Sequence, residues 1–134
     1  MKALSGLAIP FLTLACADPE PALQATASTA SAADLALGER LSHRCLACHA
    51  LEQGRNTPAA PTLYHVVNRE IAVEPGYNYS PPLRAFAVEN PRWTPEVLDR
   101  FLADPSALVP GTEMGFPGFA DATERRAVIA WLMQ

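Results

Sequence analysis

Cys45-Leu46-Ala47-Cys48-His49 sets two thiols three residues apart and an imidazole directly behind the second. With this spacing both sulfurs can add to the two vinyl groups of one haem, and His49 can bind its iron from one face. Two sulfurs and a ring must reach one rigid macrocycle, so the interval between them is fixed. Other chemistries use the same residue types. A redox dithiol sits next to a βαβ pattern, and none surrounds these cysteines. A zinc site needs further ligands, yet there is no second Cys pair, and only His43 and His65 remain among the histidines. Two plain buried thiols are the remaining reading. Cys16, the third cysteine, lies far upstream in an apolar stretch, so the three do not form an even, spread-out disulfide framework.

A second motif follows much later in the chain: Val109-Pro110-Gly111-Thr112-Glu113-Met114-Gly115-Phe116. Together the two motifs resemble the class I cytochromes c, especially the mitochondrial cytochrome c and bacterial cytochrome c2 group. In that group a haem-binding methionine sits in a Pro-Gly-Thr-x-Met-x-Phe loop. The resemblance runs from about Leu35 to Leu132. It implies one covalently attached haem c, with His49 and Met114 as the two axial iron ligands. A thioether ligand favours reduced iron and fills the sixth position, which suits a carrier better than an enzyme. Ala60-Pro61-Thr62-Leu63 is similar to the family's Gly-Pro-x-Leu segment, which implies that the Pro61 carbonyl accepts the free ring N–H of His49. Arg69, Tyr79 and Trp93 match residues that surround a buried haem propionate, a carboxylate that needs donors in a dry pocket. The resemblance also implies an exposed haem edge near the attachment loop and Phe116, where electrons are expected to cross.

The departures from the family carry information. Phe101 stands where a tyrosine usually donates a hydroxyl near the methionine sulfur. Ala60 replaces a glycine, and Gly38 sits one residue closer to Cys45 than the family's helix glycine. The lysines that ring the haem edge in mitochondrial cytochrome c are missing; Ser106, Ala107 and Glu113 occupy three of those positions.

The elements that must position these residues are mostly helical. Asp34 to Arg44 has Leu37 and Leu41 one turn apart on one face. Glu52 to Asn90 is rich in proline, glycine and polar residues and reads mainly as loop with short helical pieces. Thr94-Pro95 supplies a capping hydroxyl and a proline at the first helical position. Val97, Leu98, Phe101 and Leu102 then form an apolar face that should end before Pro105. Asp121-Ala122-Thr123-Glu124 resembles a capping box with aspartate as the cap. The helix after it carries Val128, Ile129, Trp131 and Leu132. No strand pattern or internal repeat stands out. The expected fold is the class I cytochrome c fold, three main helices and long loops around one haem. The first and last helices are expected to cross, with Leu37 and Leu41 against Val128, Ile129 and Trp131.

Residues 1–17 read as an export signal: Lys2, a short apolar run from Ala3 to Ala15, and a small-x-small cleavage site at Ala15-Cys16-Ala17. Thr13-Leu14-Ala15-Cys16 loosely resembles a lipoprotein signal, so lipidation of Cys16 is the alternative. Residues 18–33 form an Ala/Pro/Ser/Thr linker with no apolar periodicity, and residues 34–134 form the cytochrome domain. Without the signal, nine arginines face fourteen acidic residues, a balance of −5. Such a chain does not suit nucleic acid or an anionic membrane surface. The expected activity is single-electron transfer between exported or membrane-bound redox partners, without a lysine-ring docking face. The alternatives are a dedicated subunit of a dehydrogenase or oxidase complex, a haem peroxidase or gas-binding protein if Met114 is labile, and a zinc-dependent binding module.

Overall fold

A computed structural model describes residues 30–134. The expected export signal and nearly all of the linker lie outside the described residues.

Ser31 starts the first helix, α1 (Ala32–Leu46). Its hydroxyl accepts from the Asp34 N–H at 3.1 Å, and the Asp34 carboxylate accepts from the Ser31 N–H at 3.1 Å. This reciprocal pair satisfies two orphan donors and sets the start two residues ahead of Asp34. α2 (Pro81–Glu89) opens on two prolines and is the longest helical piece in the proline-rich region. α3 (Pro95–Ala103) begins where Thr94 accepts from the Val97 N–H, and its apolar face, Val97, Leu98, Phe101 and Leu102, is wholly buried. The chain breaks at Asp104, which caps the single turn α4 (Pro105–Leu108). α5 (Ala122–Leu132) starts at Asp121, which accepts from the Thr123 and Glu124 N–H groups. The return bond from a Glu124 side chain that a full capping box needs is not formed.

α1 packs most extensively on α5, and α3 packs on α5 and α4. The α1 face at this crossing differs from the expected one. Its buried residues are Gly38 and Ser42, while Leu37 is only half-buried and stands outside the main core cluster. Leu41 does reach that cluster, as do Val128 and Ile129 of α5. The reason is the closeness of the backbones. A Cβ at Gly38 would collide with the Ala127 carbonyl and press on the Trp131 Cβ. Only small residues fit such an approach, so leucine is displaced to the flanks.

Among the described residues there is no sheet; one isolated antiparallel bridge joins Glu70 to Arg92. The core gathers Trp93, Val97, Leu98, Phe101 and Leu102 with Val66, Ile71, Val109, Phe119, Val128 and Ile129. Each such side chain contributes about 1.5–3 kcal/mol on burial. The long segments 47–80 and 109–121 close over one side of this core.

Candidate haem-binding site

α1 ends within the first motif. Past Leu46 the chain turns, with the Cys48 and His49 N–H groups donating to the Cys45 carbonyl at 3.1 and 2.9 Å. Cys45 and Cys48 are free thiols. Burial pushes the Cys45 thiol pKa up, opposed by the positive charge of Arg44. His49 Nδ1 donates to the Pro61 carbonyl at 2.7 Å. That bond fixes the tautomer and leaves Nε2 free to bind a metal. Burial, helped by nearby Arg69 and opposed by the Pro61 bond, holds the His49 pKa below its ordinary 6.5, so the ring is neutral.

A cavity of about 390 Å³ opens beside His49. All nine residues expected at the site line it: Cys45, Cys48, His49, Pro61, Arg69, Tyr79, Trp93, Met114 and Phe116. Its walls are otherwise largely apolar, with Leu63, Val66, Leu83, Leu98, Phe101 and Leu102. Two thiols, a neutral imidazole and a thioether around an apolar slot are the donor set that a covalently attached haem requires, so the residues fit it. A wider hollow of about 530 Å³ lies in the 53–75 loop, but it shares only Arg69 with the cavity and reaches neither thiol, His49 nor Met114. No three His, Cys, Asp or Glu side chains among the described residues converge as a zinc site would need.

The polar residues of the cavity are arranged at cost. Arg69 donates to the Thr62 carbonyl at 2.7 Å and the Tyr64 carbonyl at 2.9 Å, and pairs with Glu74 at 3.0 Å. Three of the five guanidinium donors are thus engaged. The pair is largely shielded, with side-chain exposures of 19% and 10%. Burial pushes the Tyr79 phenol pKa up, and the ring meets Tyr77 edge-on at 4.9 Å. Trp93 is buried and packs on Phe101 at 4.9 Å, and its indole N–H donates to no protein group among the described residues.

Met114 arrives on a segment with few backbone bonds. Its N–H donates to Thr112 Oγ1, and the next backbone bond along the chain is Phe119 N–H to the Leu102 carbonyl at 2.8 Å. Gly118, at φ 92°, lets that segment pass against the Ala103 carbonyl, where a Cβ would collide. Two residues of this region escape sequence reasoning. Glu74 lies in a loop without periodicity, five residues from the arginine it pairs with. Arg44 packs over two phenylalanine rings distant in the chain.

No family model matches the chain. Individual proteins do. The chain is 44% identical over 96 residues to a cytochrome c2 of Rhodopila globiformis, covering 71% of this chain and 87% of that one. It is 37% identical over 127 residues to cytochrome c-554 of Methylosinus trichosporium, covering 94% of this chain and 92% of that one. Among solved structures, cytochrome cH from Methylobacterium extorquens superposes with a TM-score of 0.66 at 37% identity, over 74% of this chain and 96% of that one. Sequence kinship of this extent, on a helical fold that brings both motifs to one cavity, shows that the chain belongs to the class I cytochromes c and is a single-haem electron carrier with one covalently attached haem c.

Proposed function

We propose that Cys45 and Cys48 form the two thioether links, and that His49 through Nε2 and Met114 through Sδ are the axial iron ligands. The observation that carries this reading is the meeting of both motifs, with all nine expected residues, in one largely apolar cavity. Bound haem supplies the one-electron couple. The chain orients and tunes it. Pro61 holds the His49 ring and raises its basicity. The soft Met114 thioether favours the reduced state and raises the potential. Arg69, Tyr79 and Trp93 line the same cavity and would compensate the burial of a haem propionate held there. Leu83, Leu98 and Phe101 keep water out.

Electrons cross near the attachment loop, where Leu46 is 37% exposed, Cys48 is exposed and Phe116 is half-buried. Ser106, Ala107 and Glu113 are exposed and provide no lysine ring. The partner is therefore weakly charged or reads arginine, or is a dedicated neighbouring subunit. No helix among the described residues is long and apolar enough to cross a membrane. The Lys2-led apolar stretch supports export to the periplasm, with Cys16 lipidation as the route to a tether.

The test is Met114→Ala in haem-loaded protein. Covalent haem is retained, the reduction potential falls by a large margin, and the reduced protein begins to bind carbon monoxide. An unchanged potential, or rapid carbon monoxide binding by the unaltered protein at neutral pH, would refute Met114 as ligand.

A further inference from the structure

Arg44 occupies the last turn of α1, directly before Cys45. None of the four ion pairs among the described residues includes it. Its guanidinium carbon instead lies 4.8 Å from the centroid of the Phe116 ring and 4.7 Å from that of Phe119. The two rings meet edge to face at 5.0 Å. Both distances fall within the range where a cation is attracted to an aromatic face.

The two rings are held very differently. Phe119 is 1% exposed, its N–H donates to the Leu102 carbonyl, and its own carbonyl accepts from Arg125 at 2.9 Å. Arg125 is in turn paired with Asp99 of α3 at 2.8 Å. Phe119 is therefore a fixed post. Phe116 is half-buried, and Gly115 to Gly118 make no hydrogen bond to the described residues. Met114 adjoins this unbonded stretch. Apart from the Met114 N–H bond to Thr112 Oγ1, packing positions it, and among the described residues the cation over the Phe116 ring comes from the helix that carries Cys45.

We propose that Arg44 is a positioning residue for Met114, its guanidinium clamping Phe116 against the fixed Phe119 and so tying the Met114 segment to the helix that carries Cys45. The inference rests on the axial-ligand reading of Met114. Arg44 lines the cavity but supplies none of the proposed ligands or thioether links; it acts by lowering the fraction of time the segment spends open. Arg44 is exposed, so losing the clamp should raise that fraction roughly 2- to 30-fold, the factor that one to two cation–π contacts at an exposed site are worth.

The experiment uses haem-loaded protein with Arg44→Leu, Arg44→Lys and Phe116→Leu. Two quantities are read: hydrogen exchange of the Met114 amide, which is bonded to Thr112 Oγ1, against the amides of α5, and the rate at which added imidazole replaces the sixth ligand of the oxidised protein. Arg44→Leu and Phe116→Leu should each raise both by the factor above, with α5 exchange unmoved. The double variant should add little, and Arg44→Lys should recover most of the loss. Wild-type values of both in Arg44→Leu would overturn the proposal. So would equal acceleration in α5, which would reduce Arg44 to a residue of general stability. The ligand reading fails separately: unaltered protein would then take up imidazole as fast as Met114→Ala, while exchange of the Met114 amide would still report the clamp.

Discussion

Gly38→Ala tests the crossing of α1 and α5 on which the attachment cysteines depend. A Cβ at this site meets the Ala127 carbonyl carbon at 2.7 Å and the Trp131 Cβ at 2.8 Å. Both neighbours are backbone or backbone-proximal, so no rotamer change relieves them and the helices must separate. Overpacking of this kind costs typically 1–3 kcal/mol, and a backbone obstacle places Gly38 at about 3. Alanine regains about 1 kcal/mol in helix propensity over glycine. The net loss is about 2 kcal/mol, or a fall in melting temperature of about 8–16 °C for a domain near 100 residues. Thermal melting of the haem-loaded protein, followed by far-ultraviolet circular dichroism, measures it. Glu39→Ala, one residue on and exposed, is the control and should stay within about 0.5 kcal/mol of the parent. A Gly38→Ala protein as stable as the parent, or more stable, would show that the crossing is not held at this distance.

Two other outcomes follow from the electrostatics. Asp34, Asp104 and Asp121 cap helices, and each carboxyl is held below its ordinary 3.8: Asp34 chiefly by the Ser31 hydroxyl, Asp104 by the Ala107 N–H and Asp121 by the Thr123 N–H. Because the folded values are the lower ones, this stabilisation is complete above about pH 4 and is lost as pH falls through them. Melting temperature should therefore drop below about pH 4, and less steeply in Asp121→Asn than in the parent. Separately, Glu74→Gln removes the negative charge that neutralises Arg69 beside the cavity. The reduction potential should rise on the order of 20–70 mV: for a separation taken as on the order of 10 Å and an effective dielectric of 20–80, a unit charge is worth about 0.4–1.7 kcal/mol. Protein-film voltammetry reads it, and a fall in potential would contradict the charge argument.

How legible the protein was in its sequence depends on the range of the interaction. Local signals read correctly. Thr94-Pro95 starts α3, Pro105 ends it, and Asp121 caps α5, because capping and proline sterics act within a few residues. The α3 apolar face is buried as its periodicity implied. The start of α1 was readable too, since Ser31 and Asp34 stand at capping-box spacing, yet the polar composition around them suggested a linker. The α1 face was read in part: α1 crosses α5 and Leu41 reaches the core as expected, but the buried residues of α1 are Gly38 and Ser42 rather than Leu37. Periodicity favours leucines, whereas the crossing selects for small residues, and how closely two helices approach is not a local property.

For the site, the residue types and intervals of Cys45-Leu46-Ala47-Cys48-His49 pointed by themselves to the cofactor chemistry of this chain, and the resemblance carried by Pro110-Gly111-Thr112-Glu113-Met114 implied the second ligand. A covalent attachment needs fixed spacing along one short stretch, and such spacing is visible in one dimension. Only the tertiary structure decided how the two motifs are held. The Pro61 carbonyl at His49 was implied by the resemblance, whereas the Glu74 carboxylate on Arg69 and the Arg44 cation over Phe116 and Phe119 join residues that lie in loops or far apart in the chain. Loops carry no periodicity, and a guanidinium finds its partner by folding, not by interval. Sequence thus determined the donor set, and folding determined the shielding, orientation and restraint that turn it into an electron carrier.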